Sequence, residues 1–124
     1  MSRFTVHINI DSDDPEPLME FWIRVLGYQR RGSSGPYISA ADPDGTGPLL
    51  VIQRVPEIKT VKNRLHLDLY APDYAAWQSE VERAISLGAT MTPNGLKSEG
   101  DEHWVVLEDP QGNEFCICYE ATST

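Results

Sequence analysis

Polar and apolar residues alternate at the start of the chain. Phe4, Val6, Ile8 and Ile10 are apolar, and polar residues, among them His7, stand between them. A period of two predicts a β-strand with one apolar and one polar face. The period then changes to three and four, which is typical of an amphipathic helix that covers the apolar face of the sheet. That helical stripe consists of Leu18, Phe21, Trp22, Val25 and Leu26.

Turn and capping residues set the expected limits of this helix. Asp14 is a favoured capping residue, and Pro15 is tolerated at the first helical position. Gly27 predicts the end of the helix. Shorter strands are expected afterwards at residues 28–31, 36–40 and 48–55. This part of the chain is therefore predicted to form one strand, one helix and three strands.

The same landmarks return in the same order about 60 residues later. His7 and His66 are 59 residues apart, as are Asp14 and Asp73, and two Asp-Pro-x-Gly turns are 67 apart. Such a period leaves room for only two copies, which indicates a duplicated half-domain rather than a repeat array. We expect one domain over residues 1–124, with a first module at about 4–55, a linker at 56–63 and a second module at about 64–120.

The second module repeats the pattern of the first. Leu65, Leu67 and Leu69 form the apolar set of its first strand, and the helix is expected at about residues 73–87. Further strands are expected at 89–92, 103–108 and 114–119, and the Gly- and Asn-rich residues 93–101 are predicted to be a mobile loop. The expected buried stripe of the helix is Tyr74, Trp77, Val81, Ala84 and Ile85.

The strand faces carry the argument about function. If the helices cover the apolar faces, four polar side chains must point to the uncovered side: His7, Asn9, His66 and Asp68. A polar, concave, uncovered face indicates a ligand cup. A merely solvated sheet face is the alternative. Residues two apart in a strand are about 6 to 7 Å apart at Cα, so His66 and Asp68 are expected to be neighbours rather than a hydrogen-bonded pair.

Composition narrows the class of partner and the compartment. The net charge is −9, which opposes binding to nucleic acid or to an anionic membrane. No apolar stretch approaches the roughly 20 residues of a membrane span, and the N-terminus lacks the layout of a signal peptide. A cytoplasmic location is the resulting expectation. Cys116 and Cys118 are too far apart in one strand for a relaxed disulfide, so we expect free thiols.

Three segments resemble the vicinal oxygen chelate superfamily, which includes glyoxalases, bleomycin-resistance proteins, fosfomycin-modifying enzymes and extradiol dioxygenases. The segments FWIRVLGY, QRVPEIKTVKNRLHLDL and DPQGNEFCICYE look like its glyoxalase-like subgroup. The resemblance implies an α+β fold of two tandem βαβββ modules. Their mixed, mostly antiparallel sheets would curl around a shared cleft, with the helices on the outer face. It also implies a homodimer.

Metal-using members of this superfamily take ligands from the first and last strands of each module. His7 and His66 match the first-strand positions, whereas Cys116 stands where the second module would carry glutamate. The equivalent position in the first module falls at Val51 or Leu49. Two histidines are fewer than the three protein ligands of a typical catalytic metal. A divalent metal (Zn, Ni, Mn or Fe) with Cys116 or Glu120 as third ligand is therefore an alternative, and no cofactor is certain.

Other candidate ligand-binding residues each have a second interpretation. Gln53 can bind a ligand or cap a loop, and Trp104 can stack on a flat ligand or belong to the core. Arg64 lies in a basic cluster that suits an anionic group or pairs with nearby acids. We predict a small-molecule-binding protein that holds a polar or aromatic compound, with a metal-dependent lyase or isomerase, or a sensor module, as alternatives. No catalytic residue is assigned.

Overall fold

The computed structural model describes residues 3–120, apart from the side chain of residue 94. The elements are β1 (His7–Ser12), α1 (Pro15–Leu26), β2 (Gln29–Ser34), β3 (Tyr37–Ala41), β4 (Leu49–Arg54), β5 (Leu67–Tyr70), α2 (Tyr74–Leu87), β6 (Thr90–Glu99), β7 (Glu102–Glu108) and β8 (Glu114–Glu120). Neither helix is long and apolar enough to cross a bilayer, within the described part of the chain.

The chain divides into two compact units, Met1–Lys59 and Thr60–Thr124. Each unit holds one helix and one four-stranded sheet, with strand order β1-β4-β3-β2 in the first and β5-β8-β7-β6 in the second. The first and last strands of each unit pair in parallel, and the other neighbours are antiparallel. The predicted α+β fold with two βαβββ modules and mixed sheets is therefore confirmed.

The first unit buries its helix against one face of its sheet. Leu18 and Met19 are fully buried in α1, and Leu50 and Ile52 are equally buried in β4. The helix ends where Gly27 adopts a left-handed conformation, with φ of 75°, and donates its N–H to the carbonyl of Ile23. Each large apolar side chain buried in this way contributes about 1.5–3 kcal/mol. The predicted limits of α1 are confirmed.

The second unit covers its sheet less completely. The Asp73 carboxylate accepts a hydrogen bond from the Ala76 N–H at 2.8 Å and caps α2, as its position predicted. Trp77 is buried, and its indole N–H donates to the Ile117 carbonyl at 2.9 Å. The predicted stripe is wrong at its margins, because Tyr74 and Ile85 remain 50% and 42% exposed. The centre of the helix is buried on its own sheet, whereas Tyr74 at its start contacts Tyr119 of β8 and stays half-exposed.

Both first strands start later than alternation predicted. Phe4 and Val6 precede β1, Leu65 precedes β5, and these apolar side chains are 80%, 66% and 89% exposed. Strand pairing explains the late starts. β1 and β5 are edge strands of their sheets, and their backbone pairing begins at His7 and Leu67. The earlier residues have no strand partner in their sheet, so a period of two does not extend the strand.

Residues 93–101 are mostly strand rather than the predicted loop. They form the second half of β6 and the turn into β7, with Gly100 at φ of 60°. The pairing register shifts between Met91 and Leu96. A Cβ at Gly95 would lie 2.7 Å from the Val106 carbonyl oxygen, so this glycine permits a close backbone approach. The Gly- and Asn-rich composition marks an irregular strand, not a loop.

Candidate functional site

An open cleft of about 510 Å³ lies in the second unit. On the sheet of this unit, His103 contacts Trp77 of α2 and Tyr119 contacts Tyr74 of α2. Neighbouring residues in each strand therefore point to the face away from the helix. Those neighbouring residues form the cleft, with contributions from the end of β6 and from the residue before β5. The lining consists of His66, Asp68, Tyr70, Glu99, Glu102, Trp104, Cys116 and Cys118. We call this the acidic cleft.

His66 and Asp68 lie side by side in the acidic cleft. Nδ1 of His66 lies 3.1 Å from Oδ1 of Asp68, and the side chains are 41% and 46% exposed. The two side chains are neighbours, as predicted. His66 lies just before β5 rather than in it, so its side chain is not held to strand spacing and can turn toward Asp68.

Two thiols lie beside Asp68 on the neighbouring strand. The parallel register places Asp68 opposite Cys116 and Tyr70 opposite Cys118. Both cysteines are free and buried, as predicted. Burial, together with the charge of Asp68 and its hydrogen bond to Cys116, raises the pKa of Cys116 to about 11. Burial and the Asp68 charge raise the pKa of Cys118 to about 12. Both thiols are therefore protonated at neutral pH.

The other side of the acidic cleft combines carboxylates with aromatic rings. Trp104 lines the cleft, which is where its interpretation as a ligand-stacking residue requires it to be. The Tyr70 hydroxyl donates to Oε1 of Glu102 at 2.9 Å, and this hydrogen bond is the largest cause that raises the pKa of Tyr70 to about 12. Glu99 reaches the cleft from the β6–β7 hairpin, where it is paired with Glu102.

Four of these lining residues were not among the predicted site residues. Extending the two-residue alternation from Asp68 identifies Tyr70, and from Trp104 it identifies Glu102. Cys118 follows in the same way from Cys116. Glu99 carries no such signal, because its place depends on the hairpin that was predicted to be a loop.

Three of the lining side chains could hold a metal ion. One ligand atom each from His66, Asp68 and Cys116 lies within 4.8 Å of the others. The N, O and S donors suit zinc. Ligand atoms around a tetrahedral zinc lie about 3.3–3.8 Å apart at bond lengths of about 2.0–2.3 Å, so side chains of this group would have to move closer together to hold the ion. Zinc binding would release the thiol proton. Glu120 is not in this group, and it pairs with Glu102 at the strand end.

The first unit presents a different set of polar residues. Nδ2 of Asn9 donates to Oε1 of Gln53 at 3.3 Å, and His7 is exposed at the start of β1. The register places Leu49 beside His7 and Val51 beside Asn9. Neither of these β4 residues can ligate a metal. The part of His7, Asn9 and Gln53 in ligand binding stays a prediction.

The predicted basic cluster does not enter the acidic cleft. Arg64 is exposed in the segment before β5, and it is not among the residues that line the cleft. Lys62 lies close enough to Cys116 to offset part of the rise in that thiol's pKa. The role of Arg64 as an anion-binding residue stays a prediction without support from the lining.

Comparison with solved structures supports the fold. A glyoxalase/bleomycin resistance protein/dioxygenase family enzyme from Burkholderia phytofirmans PsJN is similar, with a TM-score of 0.75, 21% identity, and 92% of this chain and 96% of that one covered. The fosfomycin resistance protein FosX from Mesorhizobium loti superposes with a TM-score of 0.74, 16% identity, and coverage of 98% and 96%.

A second FosX, from Listeria monocytogenes, is also similar. Its E126Q mutant was solved with Mn(II) and 1S,2S-dihydroxypropylphosphonic acid, and it matches with a TM-score of 0.77, 16% identity, and coverage of 99% and 93%. No curated protein sequence matches the chain. The sequence profile of the Glyoxalase-like domain family matches residues 7–118. The two βαβββ units and this match over most of the chain show that the protein belongs to the Glyoxalase-like domain family.

Proposed function

We propose that the protein is a glyoxalase/bleomycin-resistance-like binding protein that holds a small polar or aromatic compound. The observation that carries this proposal is the acidic cleft, whose volume of about 510 Å³ is within the range of about 300–1,000 Å³ typical of ligand sites. Trp104 supplies a flat apolar surface, and Asp68 and Glu102 supply hydrogen-bond acceptors that can orient a ligand. A phosphonate, as in the Listeria FosX structure, suits this lining poorly because no lining residue is Lys or Arg.

A screen of polar and aromatic fragments by two-dimensional NMR tests the proposal. Hits should shift the indole N–H signal of Trp104. They should leave the indole N–H signal of Trp77 unchanged, because that group is buried and donates a hydrogen bond to the Ile117 carbonyl. Trp104→Ala should weaken the hits by about tenfold, the usual loss of one aromatic anchor. Glu82→Gln, on the exposed part of α2, is the control. Hits that map elsewhere, or that keep their affinity in Trp104→Ala, would contradict the proposal.

A divalent-metal-dependent lyase or isomerase of the glyoxalase kind is the second candidate. The ligand group of His66, Asp68 and Cys116 favours it. A zinc ion held there would polarise a substrate carbonyl as a Lewis acid. The sequence-based prediction adds His7 to this ligand set.

Metal content and calorimetric titration with Zn²⁺, Ni²⁺, Mn²⁺ and Fe²⁺ separate the two candidates. If the second candidate holds, zinc should bind with one-to-one stoichiometry, and Cys116→Ala should lose most of the affinity. Cys118→Ala is the matched control, because Cys118 shares the strand face but not the ligand group. Absence of zinc binding, or equal losses in both variants, would remove the metal-dependent candidate.

We also propose a cytoplasmic homodimer. The support is the set of sheet edges within each unit, since β1, β2, β5 and β6 each lack a neighbour on one side of their own sheet, and exposed edges favour pairing or cover. Leu96 on β6 is 67% exposed. Light scattering coupled to size-exclusion chromatography tests this, and a monomer mass at micromolar concentration would contradict it.

A further inference from the structure

The charge of the acidic cleft is one-sided. Asp68, Glu99 and Glu102 bring three carboxylates to its lining, and none of the eight lining residues is Lys or Arg. His66 is charged only when protonated, and Asp68 lies against it at 3.1 Å. A group placed in the cleft therefore meets negative charge on β5, on β7 and on the end of β6.

Hydrogen bonds leave acceptor capacity in these carboxylates. The Tyr70 hydroxyl brings Glu102 one hydrogen bond, whereas a carboxylate can accept about four. Two lysines lie near this face of the sheet but do not belong to the lining of the cleft. Lys97 is the register partner of Trp104 on the neighbouring strand, and the charge of Lys62 offsets part of the rise in the pKa of Cys116. Neither lysine lines the cleft.

Aromatic rings accompany the carboxylates. Trp104 and Tyr70 line the same cleft as Glu102 and Glu99. The face of an indole attracts an organic cation through its quadrupole, and the attraction is stronger when the cation is desolvated. Carboxylates beside an aromatic face thus favour a positively charged group that also carries apolar surface. The same arrangement repels an anion.

We propose that the acidic cleft binds a small organic cation, an amine or quaternary ammonium group attached to a flat or apolar body. This inference rests on the proposed small-molecule-binding function and names the class of ligand. The cationic group lies among Glu99, Glu102 and Asp68, and the apolar body lies against Trp104.

Three probes that share a benzyl body and differ in headgroup test this inference: benzylamine, benzyl alcohol and benzylphosphonate. Dissociation constants come from NMR titration with the Trp104 indole as reporter. EDTA is present throughout, because a divalent ion would compete for the same charge. Benzylamine should bind at least about tenfold more tightly than benzyl alcohol, because one close ion pair at 4 Å contributes a factor of about five even in water and the cleft offers more than one carboxylate. Benzylphosphonate should bind most weakly.

The variant Glu99→Gln/Glu102→Gln sharpens the test. It should abolish most of the tenfold preference for benzylamine while benzyl alcohol binds as before. Glu82→Gln removes a carboxylate from α2 and should leave the preference intact. Raising the salt concentration should weaken only benzylamine, because screening acts on exposed charges.

The outcomes separate the two proposals. Equal binding of benzylamine and benzyl alcohol at Trp104, or a preference that survives Glu99→Gln/Glu102→Gln, would overturn the cationic ligand and leave the binding function standing. If neither the three probes nor the fragment screen moves the Trp104 signal, both proposals are overturned.

Discussion

The two units share one topology but differ in what their sheets present on the face away from the helix. In the first, Leu49 and Val51 stand beside His7 and Asn9. In the second, Cys116 stands beside Asp68, and Glu102 lies on the next strand. Both modules carry a histidine at the start, but among the described residues only His66 belongs to a group of potential metal ligands. The shared fold places a site, and the neighbouring strands decide its chemistry.

The units also differ in how fully the helix covers the sheet. The apolar stripe of α1 is buried almost throughout, whereas only Trp77 and Ala84 are buried in α2. A half-exposed stripe contributes less to the stability of its unit, because hydrophobic stabilisation scales with the apolar area removed from water. The second unit therefore combines the richer site with the weaker helix packing.

The largest expected effect is the difference in unfolding free energy between a truncation in α1 and one in α2. Leu18→Ala should lower the free energy of unfolding by about 2–5 kcal/mol, the range for fully buried leucines. Ile85→Ala in α2, where the side chain is 42% exposed, should cost less than about 1 kcal/mol. Urea denaturation followed by circular dichroism measures both. Similar losses would show that Ile85 is covered in solution, as a dimer contact would do.

A smaller effect is expected from two strand glycines. Gly95→Ala places a methyl group 2.7 Å from the Val106 carbonyl oxygen, so β6 must move, at a cost of about 1–3 kcal/mol. In Gly32→Ala in β2, the added Cβ meets no heavy atom of a packed neighbour within 4 Å, so the free energy of unfolding should hardly change. Denaturation curves of the two variants test this contrast. A neutral Gly95→Ala would mean that the β6 bulge adapts without strain.

The zinc affinities of two histidine variants show whether His66 and His7 both ligate the metal. If the metal-dependent candidate holds, His66→Ala should lower zinc affinity by tenfold or more, since loss even of supporting groups costs about 10–100-fold. His7→Ala should change the affinity little if the group in the second unit is sufficient. Calorimetric titration of both variants provides the measurement. An equal loss in His7→Ala would support the sequence-based ligand pair of His7 and His66.

Thiol reactivity should show the smallest effect. In metal-free protein, alkylation by iodoacetamide at pH 8 should be slow, because the thiolate is the reactive form and the pKa values of Cys116 and Cys118 are raised to about 11 and 12. The rate should rise about tenfold per pH unit up to these values. Asp68→Asn should speed alkylation of Cys116 by several-fold, because it removes a charge that raises that pKa.

Mass spectrometry of the alkylated peptides follows each cysteine separately. Glu82→Gln is the control, since its charge lies on α2 and away from the thiols. Rapid alkylation at pH 8 in the wild type would show that the thiols are less buried than in the structure. An unchanged rate in Asp68→Asn would show that burial alone protects Cys116.

The fold was largely predictable because it depends on local periodicity. Alternation, the 3.6-residue stripes and the caps at Asp14, Gly27 and Asp73 identified both helices within a residue of their observed limits. The same reasoning failed at residues 93–101, where Gly95 permits a backbone approach within a strand. Composition alone does not distinguish a bulged strand from a loop, since both use glycine for its conformational freedom.

The site was predictable only in part. Alternation correctly put His66 and Asp68 on one face, and the chain's own pattern raised Trp104 as a candidate. The short distance between the His66 Nδ1 and the Asp68 Oδ1 came only from the structure, because strand spacing does not apply to a residue that lies before the strand. Alternation missed Glu99, which reaches the acidic cleft through hairpin pairing.

The sequence by itself determined the duplication, the element types and the polar identity of one strand face, because these follow from interactions between residues close in the chain. Tertiary structure alone decided which residues of distant strands stand side by side, as Asp68 and Cys116 do through the parallel β5–β8 register. Register depends on long-range backbone pairing, and a shift of one residue would move every side chain to the other face. The acidic cleft is a consequence of that register.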